Sequence, residues 1–480
     1  MLTYNLKKEK GRPLYEELYL CIKSDIQSGR IREGEKLPSK RALAEHLKIG
    51  KVTVENAYAQ LSAEGYIRSE QRRGYFAEAA AMSPYTKTKP EYSSRKAPTP
   101  LKTVETPYTV ADLAGNNADT GLFPFSVWIR LVREVVLDFE KELLRPLPHN
   151  GAPELREAIC SYLYRYRGID ISPEKVLIGA GTEYLYGLLP QLLGRNMVFA
   201  TENPGYSKAR LTYSSMGAET VGVALDSSGV IPQNLYSLGA DILHISPSHH
   251  FPTGTVTPVK RRKELYEWAC EKEGRYIVED DYDCEFRMSG KPIPPMLSTD
   301  TAGRVIYINT FSKSISPSLR ISYMILPDEL CDRYRQKLGF YSCTVPSFEQ
   351  YTLARFIERG YFEKHISRLR KYYRDRRDKV ISVVKESPAA ESFQISEENA
   401  GLHFILRIDT SLSDSEFCAR AEQMGVRIKS LSNYYENAGN DDTHEFIFNY
   451  SGATEAEAGA ALKVFEEILK GECNEKMSAN

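Results

Sequence analysis

Five short, almost wholly apolar runs constrain this chain more than any other feature. They are Val176-Leu177-Ile178, Asn196-Met197-Val198-Phe199-Ala200, Asp241-Ile242-Leu243-His244-Ile245, Tyr276-Ile277-Val278-Glu279-Asp280 and Val305-Ile306-Tyr307-Ile308. Stretches of helical character separate them. Strands with no polar face are buried on both sides, as in a mostly parallel sheet covered by helices. Ligands of such sheets sit at the carboxyl ends of the strands. The expected fold class is therefore α/β, with its chemistry at the ends of these runs.

That body is only part of the chain. Residues 78–108 hold Pro84, Pro90, Pro98, Pro100 and Pro107 among many Ser, Thr and Lys. Such a composition buries no core and reads as an extended, semi-stiff linker. It leaves a head at 1–77, a body at 109–470 and a frayed tail from Asn474 to Asn480,. The formal net charge of −1 is unevenly spread: residues 1–80 carry 15 Lys/Arg against 11 Asp/Glu, +4, which leaves −5 for the rest. A basic head on an acidic body permits DNA binding. The eight cysteines form no C-x-x-C pair and none has metal-ligand spacing. The N-terminus lacks an apolar signal region, and no stretch of 18 apolar residues occurs. The expectation is a cytoplasmic protein with reduced thiols, no metal and no membrane span.

The head reads as three helices and a hairpin. Leu14, Leu18, Ile22 and Ile26 recur every four residues between Pro13 and Ser28, with Gly29 at a helix-ending position,. Ser39 is a natural N-cap for a second helix, in which Leu43 and Leu47 face inward,. After the turn Ile49-Gly50, a third helix starts near Lys51 with Val54, Ala57, Tyr58 and Leu61 inward, and Gly65 ends it. Tyr66–Ser69 and Tyr75–Ala77 then form a wing around a basic tip. In the winged helix-turn-helix plan the third helix enters the major groove by its N-terminal end. That places Lys51, Val52 and Thr53 at the bases, and Arg41, Arg72 and Arg73 against phosphates,.

In the body, Asn309-Thr310-Phe311-Ser312-Lys313-Ser314 is followed by Pro317-Ser318-Leu319-Arg320. A lysine just past a strand end, among hydroxyls and followed by an arginine, suits a pyridoxal phosphate (PLP) Schiff base. Thr310, Ser312 and Arg320 can hold the phosphate by charge-assisted bonds,. Asp280 can bond the pyridine nitrogen and Tyr282 the ring oxygen,. Gly179-Ala180-Gly181-Thr182 follows a strand and opens a helix, so the N–H groups at Gly181 and Thr182 can also hold phosphate,. Tyr206, in Glu202-Asn203-Pro204-Gly205-Tyr206, can lay a ring over the cofactor or simply pack in the core,.

The head strings Leu37-Pro38-Ser39-Lys40-Arg41-Ala42-Leu43-Ala44, Val52-Thr53-Val54 and Ala57-Tyr58-x-x-Leu61-x-x-Glu64-Gly65-Tyr66 resemble the GntR family of winged-helix regulators. The body strings, with Pro247-Ser248-His249 and Glu279-Asp280-Asp281-Tyr282-Asp283, resemble class I aminotransferases of fold type I. Together they resemble the MocR family, GabR-type members most closely, over essentially the whole chain. The resemblance implies a fold-type I body with a smaller C-terminal α+β subdomain and a PLP-dependent transcription regulator that binds operator DNA. An amine or amino-acid effector is expected to exchange with the Lys313 imine as an external aldimine. A homodimer is implied, swapped head-to-tail so that each head lies near its partner's body.

Several positions depart from these families. The recognition helix opens with Gly50-Lys51 where the GntR family has Ser/Thr-Arg, and Glu55 adds a negative charge nearby. Phe251 stands where aminotransferases present an asparagine to the cofactor; His249 or His250 can compensate or be structural. The two carboxylate-binding arginines expected of GabR-type proteins correspond to Lys208 and Asn433. Lysine pairs a carboxylate as a point charge and asparagine does not, so γ-aminobutyrate is expected to be a poor effector. Three readings compete: a PLP-dependent regulator without useful turnover, an active aminotransferase with an appended DNA-binding head, and a dimerising body that has lost PLP. Intact Lys313, Asp280 and Tyr282 speak against the last.

Overall fold

The computed structural model describes residues 2–4, 6, 13–78, 110–115, 120–288, 294–399, 401–436 and 442–479. It divides into two compact units, Met1–Glu105 and Thr106–Asn480. The linker expected at 78–108 lies outside the described residues except for Glu78.

In the head, α1 (Leu14–Gln27), α2 (Lys40–Leu47) and α3 (Lys51–Ala63) precede the antiparallel hairpin β1 (Ile67–Glu70) and β2 (Gly74–Ala77). The expected inward positions Leu18, Ile22, Leu43, Val54, Ala57, Tyr58 and Leu61 are all fully buried, while Leu14 and Leu47 are half-buried. Ser39 Oγ accepts from Ala42 N and caps α2. Gly50 begins α3 with no side-chain cap. Tyr19 donates to Glu64, which Lys23 also meets at 2.8 Å, so polar contacts and the core both tie α1 to the end of α3.

The body is built on an eight-stranded sheet and a smaller four-stranded one. Its strands are β3 (Ala111–Asp112), β4 (Val176–Gly179), β5 (Val198–Asn203), β6 (Glu219–Asp226), β7 (Gly229–Val230), β8 (Ile242–Ile245), β9 (Tyr276–Asp280), β10 (Val305–Thr310), β11 (Ser322–Ile325), β12 (Phe393–Ser396), β13 (His403–Ile408), β14 (Val426–Arg427), β15 (Lys429–Ser430) and β16 (Glu445–Asn449). The large sheet runs β4-β11-β10-β9-β8-β5-β6-β7. Strands β10, β9, β8, β5 and β6 are successively parallel, while β11 is antiparallel to both β10 and β4. The small sheet, β12-β13-β16-β15, is antiparallel.

The strands of the large sheet are apolar on both faces because both are covered. Leu177, Ile306, Ile308 and Met324 belong to a core shared with the helix Thr182–Leu193, whereas Ile178, Tyr307, Tyr323 and Ile325 belong to one shared with the helix Ser347–Glu358. Residues of successive parity thus go to opposite layers, as strand geometry requires. The final helix runs Glu455–Ala479, so the last residues continue a helix where a frayed tail was expected. Glu, Lys, Met and Ala there are all good helix formers, which explains the continuation.

Among the described residues no helix is long and apolar enough to cross a membrane, and no His/Cys/Asp/Glu group has the arrangement of a metal site. The seven cysteines with described side chains are free thiols.

Candidate functional site

The antiparallel return of β11 explains how one loop carries two distant functional residues. Thr310 pairs with Ser322, and Ser322 pairs in turn with Gly179. The Phe311–Ile321 loop therefore closes at the carboxyl ends of β10 and β4, beside the turn that opens the helix Thr182–Leu193. Asp280 ends the neighbouring β9, opposite Ile308. These ends surround a cavity of about 470 Å³ lined by Thr182, Tyr206, Lys208, Asp280, Tyr282, Thr310, Ser312, Lys313 and Arg320 among others. Residues singled out in widely separated stretches of the sequence thus converge on one space.

Gly181 is the N-cap of the cavity-side helix, and a Cβ there would lie 2.5 Å from Arg320 Nη2. Glycine is needed for this close approach as well as for its positive φ,. Arg320 itself has φ +52, a left-handed conformation that costs a non-glycine residue on the order of 1 kcal/mol or more. Strain of this kind is tolerated where a side chain must be aimed. Ser322 donates to Thr310 Oγ1 at 2.8 Å, and Thr310 donates to Ser312 Oγ at 3.0 Å. The two hydroxyl residues are thereby fixed by the sheet beneath them.

Asp280 is buried, and Tyr186 donates to its Oδ2; His244 Nε2 lies 3.5 Å from the same oxygen. Asp280 Oδ1 has no partner, so the carboxylate keeps one open acceptor. Tyr282 OH lies 3.2 Å from His249 Nδ1, which also meets Asp283 at 2.7 Å. Burial lowers the Lys313 ammonium pKa to about 8, against the pull of Asp283. A lysine amine in that state is a usable nucleophile near neutral pH.

Other expected residues fall elsewhere. Asn433 does not line the cavity; its Oδ1 accepts from Ser430 N at 3.2 Å in a local cap. His249 and His250 do not line it either. His250 pairs with Thr253 at 2.7 Å and His249 with Asp283 at 2.7 Å, while Phe251 itself lines the cavity. Lys208 does line the cavity, but it meets Glu183 Oε1 at 3.1 Å, and Glu183 also accepts from Arg320. Tyr186, His244, Glu183 and Glu202 are cavity residues that sequence reasoning missed. Tyr186 alone left a trace: it lies four residues after Thr182, on the same helical face,.

On the head, Val52 is 66% exposed at the start of α3, an unusual place for a large apolar side chain. Lys51 meets Glu55 at 3.5 Å and Arg41 meets Glu45 at 3.1 Å, all on the surface. Arg72 takes the positive φ of the hairpin turn, and Arg73 pairs with Glu70 at 2.6 Å. Thr53 is half-buried.

A winged helix-turn-helix joined to an aminotransferase-fold body with a lysine-centred anion pocket defines a class of cofactor-dependent transcription regulators. Residues 14–76 match the bacterial regulatory proteins of the gntR family, and residues 109–447 match aminotransferase class I and II. The HTH-type transcriptional regulator YdeL of Bacillus subtilis (strain 168) is 38% identical over 98% of this chain and 99% of its own length. The "probable rhizopine catabolism regulatory protein MocR" of Rhizobium meliloti is 30% identical over 90% of this chain and 89% of its own. The body is also similar to the multiple substrate aminotransferase of Thermococcus profundus, with TM-score 0.68, 25% identity, and coverage of 78% of this chain and 94% of that one. The chain belongs to the MocR family of GntR-type regulators with an aminotransferase class I and II domain.

Its cofactor is pyridoxal phosphate, and the cavity fits that group. The unpartnered, buried Asp280 Oδ1 suits a pyridine N–H; the hydroxyl row, Arg320 and the helix N-terminus suit a phosphate; the partly deprotonated Lys313 suits an aldehyde,.

Proposed function

We propose that the chain is a ligand-biased two-state regulator. The head binds operator DNA, and the cavity holds PLP through Lys313 together with an amine or amino-acid effector. The observation that carries this reading is the convergence of Lys313, Asp280, Tyr282, Thr310, Ser312 and Arg320 on one cavity in a chain with a GntR-type head.

Each residue has a role in that reading. Arg320, Ser312, Thr310 and the N–H groups at Gly181 and Thr182 bind the phosphate. Asp280 Oδ1 would accept a hydrogen bond from the pyridine N–H and so keep that nitrogen protonated,. Tyr282, steadied by His249, donates to the ring oxygen. Tyr206, half-exposed, lines the cavity and would lay its ring over the cofactor. When bound there, PLP would supply an electrophilic carbon toward primary amines. Lys313 would hold the cofactor and, when displaced by an effector amine, would remain in the cavity as an amine able to hold or return a proton, and the smaller subdomain would close over the ligand. Closure shifts the operator affinity only if the effector binds the closed state better than the open one.

On DNA, Lys51, Val52 and Thr53 meet base edges. The exposed valine suits a thymine methyl, and the uncapped N–H groups after Gly50 suit a phosphate,. Arg41, Arg72 and Arg73 meet phosphates. A homodimer, swapped head-to-tail, would present two heads to paired half-sites whose spacing mirrors its geometry. Lys208 is occupied by Glu183 and Asn433 lies outside the cavity, which supports the reading that γ-aminobutyrate is a poor effector.

Two measurements test the proposal. Borohydride reduction of the PLP-loaded protein should fix the cofactor on the Lys313 peptide. Operator affinity, followed by mobility shift, should change when an amine that alters the cofactor absorbance is added. The intact Asp280 anchor also suits the alternative, an aminotransferase with an appended head. Sustained conversion of the cofactor to pyridoxamine phosphate across an amino-acid panel would establish that alternative.

A further inference from the structure

We infer that the effector is a primary amine with an aromatic or aliphatic body and no carboxylate. The inference rests on the proposed effector site and narrows the class of ligand it takes.

A carboxylate needs a cation whose charge is not already balanced. Among the described residues lining the cavity, the Lys and Arg side chains are those of Lys208, Lys313 and Arg320. Lys313 is the proposed cofactor attachment. The other two converge on one carboxylate: Lys208 Nζ lies 3.1 Å from Glu183 Oε1, and Arg320 Nη2 donates to Glu183 Oε2. Glu183 sits in the first turn of its helix, where the positive end of the helix dipole also favours an anion,. Arg320 foremost, and then Lys208, hold its carboxyl below the usual range, and Glu183 in turn raises Lys208. The charge count then becomes restrictive. The cofactor phosphate brings a charge of about −2. With Glu183, the local anions outweigh the two cations before any effector arrives. A second carboxylate would enter a region that already carries excess negative charge.

Beside this triad the cavity lining also includes two uncharged aromatic rings, those of Tyr206 and Phe251. Phe251 packs edge-on against Tyr206 at 6.2 Å and is backed, outside the cavity lining, by Tyr434 at 5.2 Å and His403 at 5.5 Å. Burial holds the His403 imidazole down to about 4, so it is neutral, and its Nε2 is engaged with Pro252 O at 3.0 Å. An uncharged aromatic wall gains from contact with an apolar body or an incoming ammonium. It can only strip water from a carboxylate without replacing the lost hydrogen bonds.

The test uses the full chain loaded with PLP and two matched pairs: 2-phenylethylamine against phenylalanine, and butylamine against γ-aminobutyrate. Each is titrated by the change in cofactor absorbance. In each pair the amine should bind about tenfold or more tightly than its carboxylate analogue, reflecting the like-charge penalty. Glu183→Gln, which releases Lys208, should narrow the gap by improving the amino acids. Equal or tighter binding of the amino acids to the wild type would overturn the inference. So would silence toward all four ligands in protein whose cofactor is demonstrably on Lys313. Failure of borohydride to fix cofactor on Lys313 would instead overturn the underlying proposal, so the two failures are distinct.

Discussion

Tyr186 donates its hydroxyl proton to Oδ2 of Asp280, and that bond leaves Oδ1 as the open acceptor of the carboxylate. Tyr186 belongs to the helix that begins at the phosphate cradle, and Asp280 ends β9. The bond therefore couples the two ends of the cofactor pocket. Asp280→Asn removes the charge from the proposed pyridine bond. A charge-assisted hydrogen bond contributes about 1.5–3 kcal/mol, so PLP affinity should fall about 10- to 100-fold. Tyr186→Phe keeps the buried ring and loses only the donor, so its effect should be smaller and in the same direction. Fluorescence titration of the apoprotein with PLP measures both. Unchanged affinity in Asp280→Asn would remove Asp280 from the anchor role.

The attachment amine sets the pH dependence of cofactor uptake. Lys313 titrates at about 8, below its ordinary 10.5, because burial penalises the ammonium. Only the neutral amine attacks an aldehyde. The rate at which the apoprotein takes up PLP covalently should therefore rise with pH and reach half its maximum near pH 8. Lys313→Ala should abolish the borohydride-stable product and leave the far-UV spectrum unchanged. A half-maximum above pH 10 in stopped-flow absorbance would mean that the amine is solvated like a free lysine.

Much of this site was legible because strand and chemistry coincide in sequence. Tyr276–Asp280 is a buried strand that ends on the anchoring carboxylate, and the expected and observed limits agree. What escaped detection has identifiable physical causes. β11 is four residues long and starts immediately after the Arg320 loop, too short for a pattern to stand out. β6 flanks the parallel core with only the short β7 beyond it, and its mixture of exposed and buried residues hides the periodicity. Asn433, which the resemblance to GabR-type proteins sets at the place of a carboxylate-binding arginine, sits in a local cap at Ser430. That cap depends on the turn from β15, which composition does not reveal. In sequence Glu183 is an ordinary first-turn helix acid. Its bridge between Lys208 and Arg320 exists only once three segments are folded together.

For the head, the base-facing and phosphate-facing residues should separate by their salt dependence. Arg72 and Arg73 lie at the exposed tip of the wing, so Arg72→Ala and Arg73→Ala together should weaken binding to all DNA sequences alike. They should also reduce the slope of log affinity against log salt by about 2, because two phosphates then keep their counterions. Val52→Ser should leave that slope unchanged and relax the preference at a single base position, because an apolar side chain displaces no counterions. Fluorescence anisotropy over a salt series reads both quantities. Val52 is two-thirds exposed, so the melting temperature of its variant should match the wild type. Identical salt slopes for the double arginine variant and the wild type would remove the wing from the DNA interface.

Glu202 provides a pH dependence of stability whose sign can be worked out. It is buried beside the cavity, where Ser246 N donates to it at 3.0 Å, and burial raises its carboxyl from 4.5 to about 8. An unfolded chain releases this proton near pH 4.5, while the folded chain keeps it until about pH 8. The stabilisation is thus complete below the unfolded value and is lost as pH rises through the folded one. Glu279 and Glu285, raised by burial to about 7, act in the same direction. Lys313 gains stability only as pH climbs from about 8 towards 10.5, so it does not oppose them between pH 5 and 8. The buried His250, lowered by burial to about 3, and His365 and His403, lowered to about 4, act the other way as pH rises through 6.5, so the Glu202 contribution is read from the difference between the wild type and a Glu202 variant,. Glu202→Gln keeps an acceptor for Ser246 N and removes the titrating carboxyl 3.6 Å from His250 Nε2, whose imidazole burial holds at about 3. That variant should match the wild type at pH 6 and exceed it at pH 8, as read by calorimetry at each pH. Parallel curves for the two proteins would show that Glu202 is ionised in the folded state, with a charge that the surrounding groups must then be stabilising.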